Sequence, residues 1–337
     1  MAIKTTVICI VPVKNESWIL PDTIAGMQMW ADHVIVGDNG SSDNSVAIAR
    51  EAGCSIIDLG VAFDEGRRRE RLISAARQIP GRRLIISMDA DELLSANWRT
   101  SREWPMMADA APGTRFNFEL IEFLPGITQA SIGRYPVPLA FVDDDSAYHD
   151  VSLIHTQRIP AASGPVVTLN EIKLLHLLAL DPQRVFSKHR WYKCFEFIEH
   201  GLRPWDICVR YQDTRLKTYD YPLVPVDPSW MTAYPWLDKY RSLATRDAFY
   251  WWDEELLNYF DRYGVETFRK INIWDVDWTS LSRKLGRPSL YRDPRNVLEI
   301  MMHKLIERYR EQLKLGRPLP FRVVKLLARA VLPHLGW

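Results

Sequence analysis

Leu84-Ile85-Ile86-Ser87-Met88-Asp89-Ala90-Asp91-Glu92 is an apolar run of strand character that ends in an Asp-x-Asp acid pair. Side chains two apart on a strand point the same way, so Asp89 and Asp91 are expected to aim at one spot just past the C-terminal edge of a sheet. Open α/β sheets bind ligands at that edge, and a hard cation held there by one or two carboxylates shares its remaining positions with phosphate oxygens. The stretch therefore points to a Mg²⁺ or Mn²⁺ ion and a nucleotide diphosphate. An isolated Asp-x-Asp is more often a solvated turn or a helix N-cap, so the elements upstream have to carry the argument.

Upstream, Thr6 to Val13 is a continuous β-branched run bounded by Pro12 and then by polar Lys14-Asn15-Glu16, which reads as a first, central strand. Trp18 to Trp30 places Ile19, Leu20, Ile24, Met27 and Trp30 near helical spacing, with Pro21 or Asp22 as the opening residue. Val34-Ile35-Val36 is a second strand that ends in the turn residues Gly37-Asp38-Asn39-Gly40-Ser41-Ser42-Asp43. Ser45 to Ala52 is helical in pattern with Gly53 as its stop, and Ser55-Ile56-Ile57-Asp58 is a third strand. Alternating strand and helix predicts an α/β fold with a mostly parallel, right-handed sheet flanked by helices.

Three motifs in this order, Val11-Pro12-Val13-Lys14-Asn15-Glu16, Val34 to Asp43, and Met88-Asp89-Ala90-Asp91-Glu92, resemble the family 2 glycosyltransferases of the GT-A fold, of the bacterial surface-polysaccharide type. The resemblance covers roughly the first half of the chain. It implies a metal-dependent, inverting transfer of a sugar from a nucleotide-sugar donor to a glycan or lipid-linked glycan acceptor. It also implies that Pro12, Asn15 and Glu16 line the nucleoside pocket and that Asp38 accepts hydrogen bonds from the base or ribose. The bland reading of Asp38 is an Asx-turn residue, with Asp43 the better cap for the helix that follows. In the run Asp64 to Arg71 the resemblance points to Arg69, flanked by Arg68 and Arg71, as the donor-facing arginine. A guanidinium suits a diphosphate because its planar fork donates two hydrogen bonds and keeps its charge.

The resemblance further implies that Asp89 and Asp91 hold the Mn²⁺ or Mg²⁺ together with His176, although a histidine in the strand-like stretch Glu171 to Leu177 is ordinarily a satisfied core residue. An inverting enzyme needs a base for the acceptor hydroxyl. The His-Glu pair of some related bacterial enzymes aligns here with Ile154-His155-Thr156, and threonine cannot serve, so Asp145, His155 and Glu171 all stay open. Arg184, Lys188 and Trp191 fall at helical spacing in a segment that resembles the family's basic helix, with Lys188 and Arg190 placed to meet donor phosphates or to be surface charges.

A chain of 337 residues with 47% apolar content is slightly long for one domain, and we expect a catalytic domain over residues 1–192 and a mainly helical, aromatic-rich extension over 193–337. Helices are expected at Leu237 to Arg262 and Pro294 to Lys314. A net charge of +1 argues against nucleic acid as the main partner. Cys9, Cys54, Cys194 and Cys208 lack metal-ligand spacing and read as reduced thiols, so no structural zinc is expected. The N-terminus passes into the first strand without a secretory apolar region, and no apolar run reaches the roughly 18 residues of a membrane span, which reads as a cytoplasmic chain. The basic amphipathic stretch Pro320 to Pro333, with Arg322, Lys325 and Arg329 on one side, is open to two readings: a helix at the inner face of the cell membrane, or one docked on the core or a second copy.

Two enzyme alternatives fit poorly. Neither the glycine-rich loop of a sugar-1-phosphate nucleotidyltransferase nor the Gly-x-Gly-x-x-Gly of a dinucleotide enzyme follows the first strand. A non-catalytic glycan-binding or scaffolding protein on the same fold is the alternative from another class. The sequence leaves the nucleotide, acceptor and oligomeric state open.

Overall fold

The computed structural model describes residues 4–62, 64–148, 150, 152–161, 163–211, 223–243, 249–314 and 336–337. They form two compact units that interleave along the chain, one within residues 1–180 and 221–243 and the other within 181–220 and 244–337. A single boundary at 192 is expected from the sequence, whereas residues 221–243 return to the first unit.

The first unit is α/β. Its strands are β1 (Thr6–Val13), β2 (His33–Asp38), β3 (Ser55–Asp58), β4 (Arg83–Ser87), β5 (Glu92–Leu94), β6 (Arg115–Phe123), β7 (Gln129–Ile132), β8 (Val137–Val142), β9 (Val166–His176) and β10 (Leu223–Pro225), and its helices are α1 (Leu20–Met27), α2 (Ser45–Glu51), α3 (Glu65–Ala76) and α4 (Glu103–Asp109). The sheet runs β10-β7-β6-β8-β4-β1-β2-β3, with β9 joined to β5 and β6. Strands β3, β2, β1 and β4 are mutually parallel, as the alternating pattern predicts. β8 is antiparallel to β4, and β6 is antiparallel to β7 and β8 and parallel to β9.

β1 is central because both of its faces are apolar. Ile8 and Ile10 pack with Leu72, Ile73 and Ala76 of α3 on one side. Val7, Cys9, Val11 and Val13 pack with Leu20, Ile24 and Met27 of α1 on the other. Burying such a side chain contributes about 1.5–3 kcal/mol each, which fixes the strand's register and therefore where its end points. Helix α2 stops at Gly53, whose φ of 75° suits glycine.

The second unit is mainly helical, with α5 (Pro182–Glu199), α6 (Pro204–Arg210), α7 (Trp251–Tyr263), α8 (Trp278–Lys284) and α9 (Val297–Lys314). The helix expected across 237–262 divides instead into a 3-10 segment, Pro235–Ser242, which lies in the first unit, and α7. The aromatic residues of the second unit act as packing. Phe260 lies against Trp274, Trp278 and Tyr291. Arg190 and Ser187 bond to the fully buried Asp253. No helix among the described residues is long and apolar enough to cross a membrane. The amphipathic stretch 320–333 lies outside the described residues.

Candidate active site

Parallel strands deliver their last residues to one edge. Val13 sits beside Asp38 and Asp38 beside Asp58, while Ser87 sits beside Ile10. Asp38, the acid pair and the turns after β1 and β2 therefore share that edge.

The turns after β1 and β2 are tied together. Asn15 adopts a left-handed φ of 56°. Its backbone N–H donates to Ser41 Oγ at 3.0 Å, and its Oδ1 accepts from Ser42 N–H at 2.7 Å. Glu16 N–H donates to Ser45 Oγ at 2.9 Å, and the Glu16 carboxylate accepts from Trp18 Nε1 at 2.7 Å. Asp43 accepts from Ser17 N–H and from Ser45 N–H, both at 2.9 Å, at the start of α2. Burial opposes ionisation of Asp43, but these bonds outweigh it and lower its pKa. Asp38 itself accepts from Ser41 N–H at 3.1 Å, an Asx-turn contact. Pro12 lies next to Gly37 in the pairing of β1 with β2.

The acid pair is not on a strand. β4 ends at Ser87, and Asp89 to Asp91 form a turn closed by Glu92 N–H to Asp89 O at 3.3 Å before β5 begins. Both residues therefore lie in the turn just past the strand on which they were expected, where strand alternation does not set their directions. Asp89 lies between two guanidiniums: Arg69 Nη2 contacts Oδ1, and Arg158 Nη2 donates to Oδ2 at 2.8 Å. Asp91 faces His176, whose Nε2 is 3.6 Å from Asp91 Oδ2. The pairing of β5 with β9 sets this up by placing Glu92 opposite His176. On the other ring nitrogen, His176 Nδ1 is 3.5 Å from Glu122 Oε1. Burial disfavours the imidazolium, but Asp91 and Glu122 raise its pKa well above the ordinary histidine value.

Arg69 is buried and fixed, donating to Ser87 Oγ at 2.9 Å and Met88 O at 3.3 Å. Its neighbours point elsewhere, Arg68 to Ala62 O and Arg71 to Asp58 O. Glu92 is wholly buried and makes a bidentate pair with Arg158 at 2.6 and 2.8 Å, while also accepting from Asp89 N–H at 2.7 Å. Burial opposes the charge on Arg158, but Asp89, Glu92 and Asp91 raise its pKa above the ordinary arginine value.

Arg158, Glu92 in its pairing role, and Glu122 escape the sequence reading. Arg158 sits in a loop without periodicity, and Glu122 becomes a neighbour of His176 only through the parallel pairing of β6 with β9.

The three base candidates separate. Val142 pairs with Leu84 at the start of β4, so the residues after β8 leave at the edge opposite the acid pair. Asp145 lies there, 74% exposed and bonded to Arg83 at 2.9 Å. Glu171 is five residues before His176 along β9, on the order of 15 Å away, and bonds to Ser101 Oγ at 2.6 Å. Both are thereby corrected as partners of the acid pair. His155, with a φ of 58°, is on the loop that carries Arg158. Three residues of chain hold their Cα atoms within about 11 Å. Lys188 belongs to the second unit, where its ammonium lies over the rings of Tyr192 and Trp252.

A divalent ion suits part of this donor set. Asp91 offers oxygen and His176 nitrogen, with Glu122 on the second ring nitrogen as commonly found behind a ligating histidine. Asp89 is engaged by arginines on both oxygens. Among the described residues, no three His, Cys, Asp or Glu side chains are grouped to hold a metal.

Residues 8–101 match the model of the family described as Glycosyl transferase family 2. The matched region runs from β1 to the residues just after β5 and carries the turns after β1 and β2, Arg69 and the acid turn. A TPR repeat-containing protein of Synechococcus elongatus is 37% identical over 82 residues, which is 24% of this chain; the chain spans only 19% of that curated relative. Among solved structures, glucosyl-3-phosphoglycerate synthase from Mycobacterium tuberculosis, in complex with Mn²⁺, UDP and glucosyl-3-phosphoglycerate, is 18% identical over 36% of this chain and 45% of its own, with a TM-score of 0.27. The same enzyme with Mg²⁺ and UDP aligns over 36% of this chain and 44% of its own, also at 18% identity and a TM-score of 0.27. Likeness of that extent carries no argument about what this chain binds.

Proposed function

We propose that this chain transfers a sugar from a nucleoside-diphosphate sugar to a glycan or lipid-linked glycan acceptor, with inversion and with a divalent ion. The observation that supports this best is the convergence of Asp38, Asp91, Arg69 and the tied turns after β1 and β2 on one sheet edge, within the region that matches the family. In this reading Asp38 and the Asn15–Glu16 turn receive the nucleoside. Arg69, rigid on α3, faces the diphosphate, and its charge supports the leaving nucleotide. Asp91 and His176 would hold Mn²⁺ or Mg²⁺, with Asp89 joining them only on release from an arginine, and the ion would supply Lewis-acid stabilisation of the leaving nucleotide.

The acceptor oxygen forms its bond to the anomeric carbon as the bond from that carbon to the donor phosphate breaks. The hydroxyl proton goes to His155, the candidate base on the loop beside the acid pair. Surface-polysaccharide assembly is the process this chemistry would serve.

The test is release of nucleoside diphosphate from a panel of nucleotide sugars with Mn²⁺, comparing the wild type with Asp91→Ala. Metal-dependent release by the wild type that the variant lacks supports the proposal. Equal turnover by both removes the site assignment, and no turnover or nucleotide binding by either favours the non-catalytic scaffold.

A further inference from the structure

The acid turn holds three carboxylates within four residues, Asp89, Asp91 and Glu92, and like charges this close repel one another. The chain answers with a cation of its own. Arg158 Nη1 and Nη2 grip both oxygens of the wholly buried Glu92, and Nη2 reaches across to Asp89 Oδ2 at 2.8 Å. The fork of a guanidinium spans two carboxylates in one plane, which the point charge of a lysine does not.

We infer that Arg158 is an internal counter-ion that stands in for the divalent cation at Asp89, so that metal entry requires it to give up that contact. The inference rests on the metal reading of the proposed function. Of the two arginines on Asp89, Arg69 is held by Ser87 Oγ and Met88 O on a packed helix, whereas Arg158 is on a loop. That loop is seated on the start of α3: Glu65 N–H donates to Leu153 O at 3.1 Å, and Thr156 N–H donates to the Glu65 carboxylate at 3.3 Å. Arg158 therefore keeps Glu92 as an anchor while its Nη2 exchanges Asp89 for another acceptor. The site of the resting protein is neutralised from within and takes up a free divalent ion less readily than its carboxylates alone would.

The experiment is Mn²⁺ titration without nucleotide, followed by electron paramagnetic resonance, on the wild type, Arg158→Gln, Arg158→Lys and Asp91→Asn. Each variant's unfolding curve is recorded alongside. Arg158→Gln is expected to bind Mn²⁺ about tenfold tighter than the wild type, the order of one charge-assisted hydrogen bond no longer to be broken. A folded Arg158→Gln protein whose Mn²⁺ affinity is unchanged or weaker overturns the inference. If Arg158→Gln does not fold, Arg158→Lys carries the test: it binds Mn²⁺ tighter because it cannot bridge both carboxylates, and unchanged affinity overturns the inference. If Asp91→Asn leaves Mn²⁺ binding intact in every background, the metal reading itself fails, and the inference fails with it.

Discussion

Replacing Asp143 by Ala separates the structural acids of this chain from the functional ones. The Asp143 side chain is 0% exposed and accepts from Arg77 Nε at 3.1 Å, Arg77 Nη2 at 2.9 Å and Arg83 Nε at 2.9 Å. Removing one partner of a buried ion pair costs about 3–5 kcal/mol, because the other charge is left without compensation. Here the two guanidiniums are 20% and 12% exposed, and Asp145 remains 2.9 Å from Arg83, so the lower end applies, about 3 kcal/mol. With a urea slope of about 2–3 kcal/mol/M, the midpoint of the first unit's unfolding should fall by roughly 1–1.5 M. Circular dichroism reads that midpoint. The cluster is at the edge opposite the acid pair, so nucleotide binding by the folded variant should equal that of the wild type. A midpoint shift below about 0.3 M, or loss of nucleotide binding at full folding, would refute the reasoning.

Other perturbations probe the remaining parts. Gly66→Ala drives a Cβ into the backbone oxygen of Asp150, which forces the loop bearing His155 and Arg158 off α3; a loss of about 1–3 kcal/mol in stability, together with weaker nucleotide binding, is expected from melting curves and titration calorimetry. His155→Ala should lower kcat by roughly 100-fold or more with donor affinity retained, while Asp145→Ala and Glu171→Ala stay near wild-type turnover; the reverse pattern in steady-state kinetics would reassign the base. The folded-state pKa of Asp43 is depressed below its usual 3.8, so the stability it confers is fully present above that value and lost as pH falls through the lower folded value. The Tm gap between the wild type and Asp43→Asn should accordingly be constant from pH 7 to about 5 and shrink below about pH 4; a gap that persists at pH 2.5 would contradict the sign.

Much of the first unit can be read from the chain. The run Thr6–Val13 coincides with β1 because a buried, largely β-branched run between turn residues has few other solutions, and Ser55–Asp58 coincides with β3, where Ile56 and Ile57 follow the stop at Gly53. Hydrophobic periodicity likewise marks α9, while α5 is expected from the helical spacing of Arg184, Lys188 and Trp191 and from the family resemblance. What stayed hidden depends on pairing over long distances. The antiparallel return of β8 sends Asp143 and Asp145 to the far edge, and the pairing of β6 with β9 brings Glu122 to His176, whose place beside the acid pair came from the resemblance alone. No local pattern encodes either. Arg158 was invisible for a similar reason, since a lone arginine in an aperiodic loop meets Glu92, 66 positions earlier, only once the chain between them has folded.

The most direct test of the account is a thermal-shift screen of nucleoside diphosphates and their sugar conjugates on the wild type and Asp91→Ala, each with Mn²⁺, Mg²⁺ or EDTA. A ligand that binds the native state raises its Tm, by about 2.7 kcal/mol of stabilisation at a hundred times Kd. The account predicts a shift for one nucleotide that requires metal and is absent in Asp91→Ala. A shift that survives EDTA and the substitution, or no shift with any nucleotide, would contradict it.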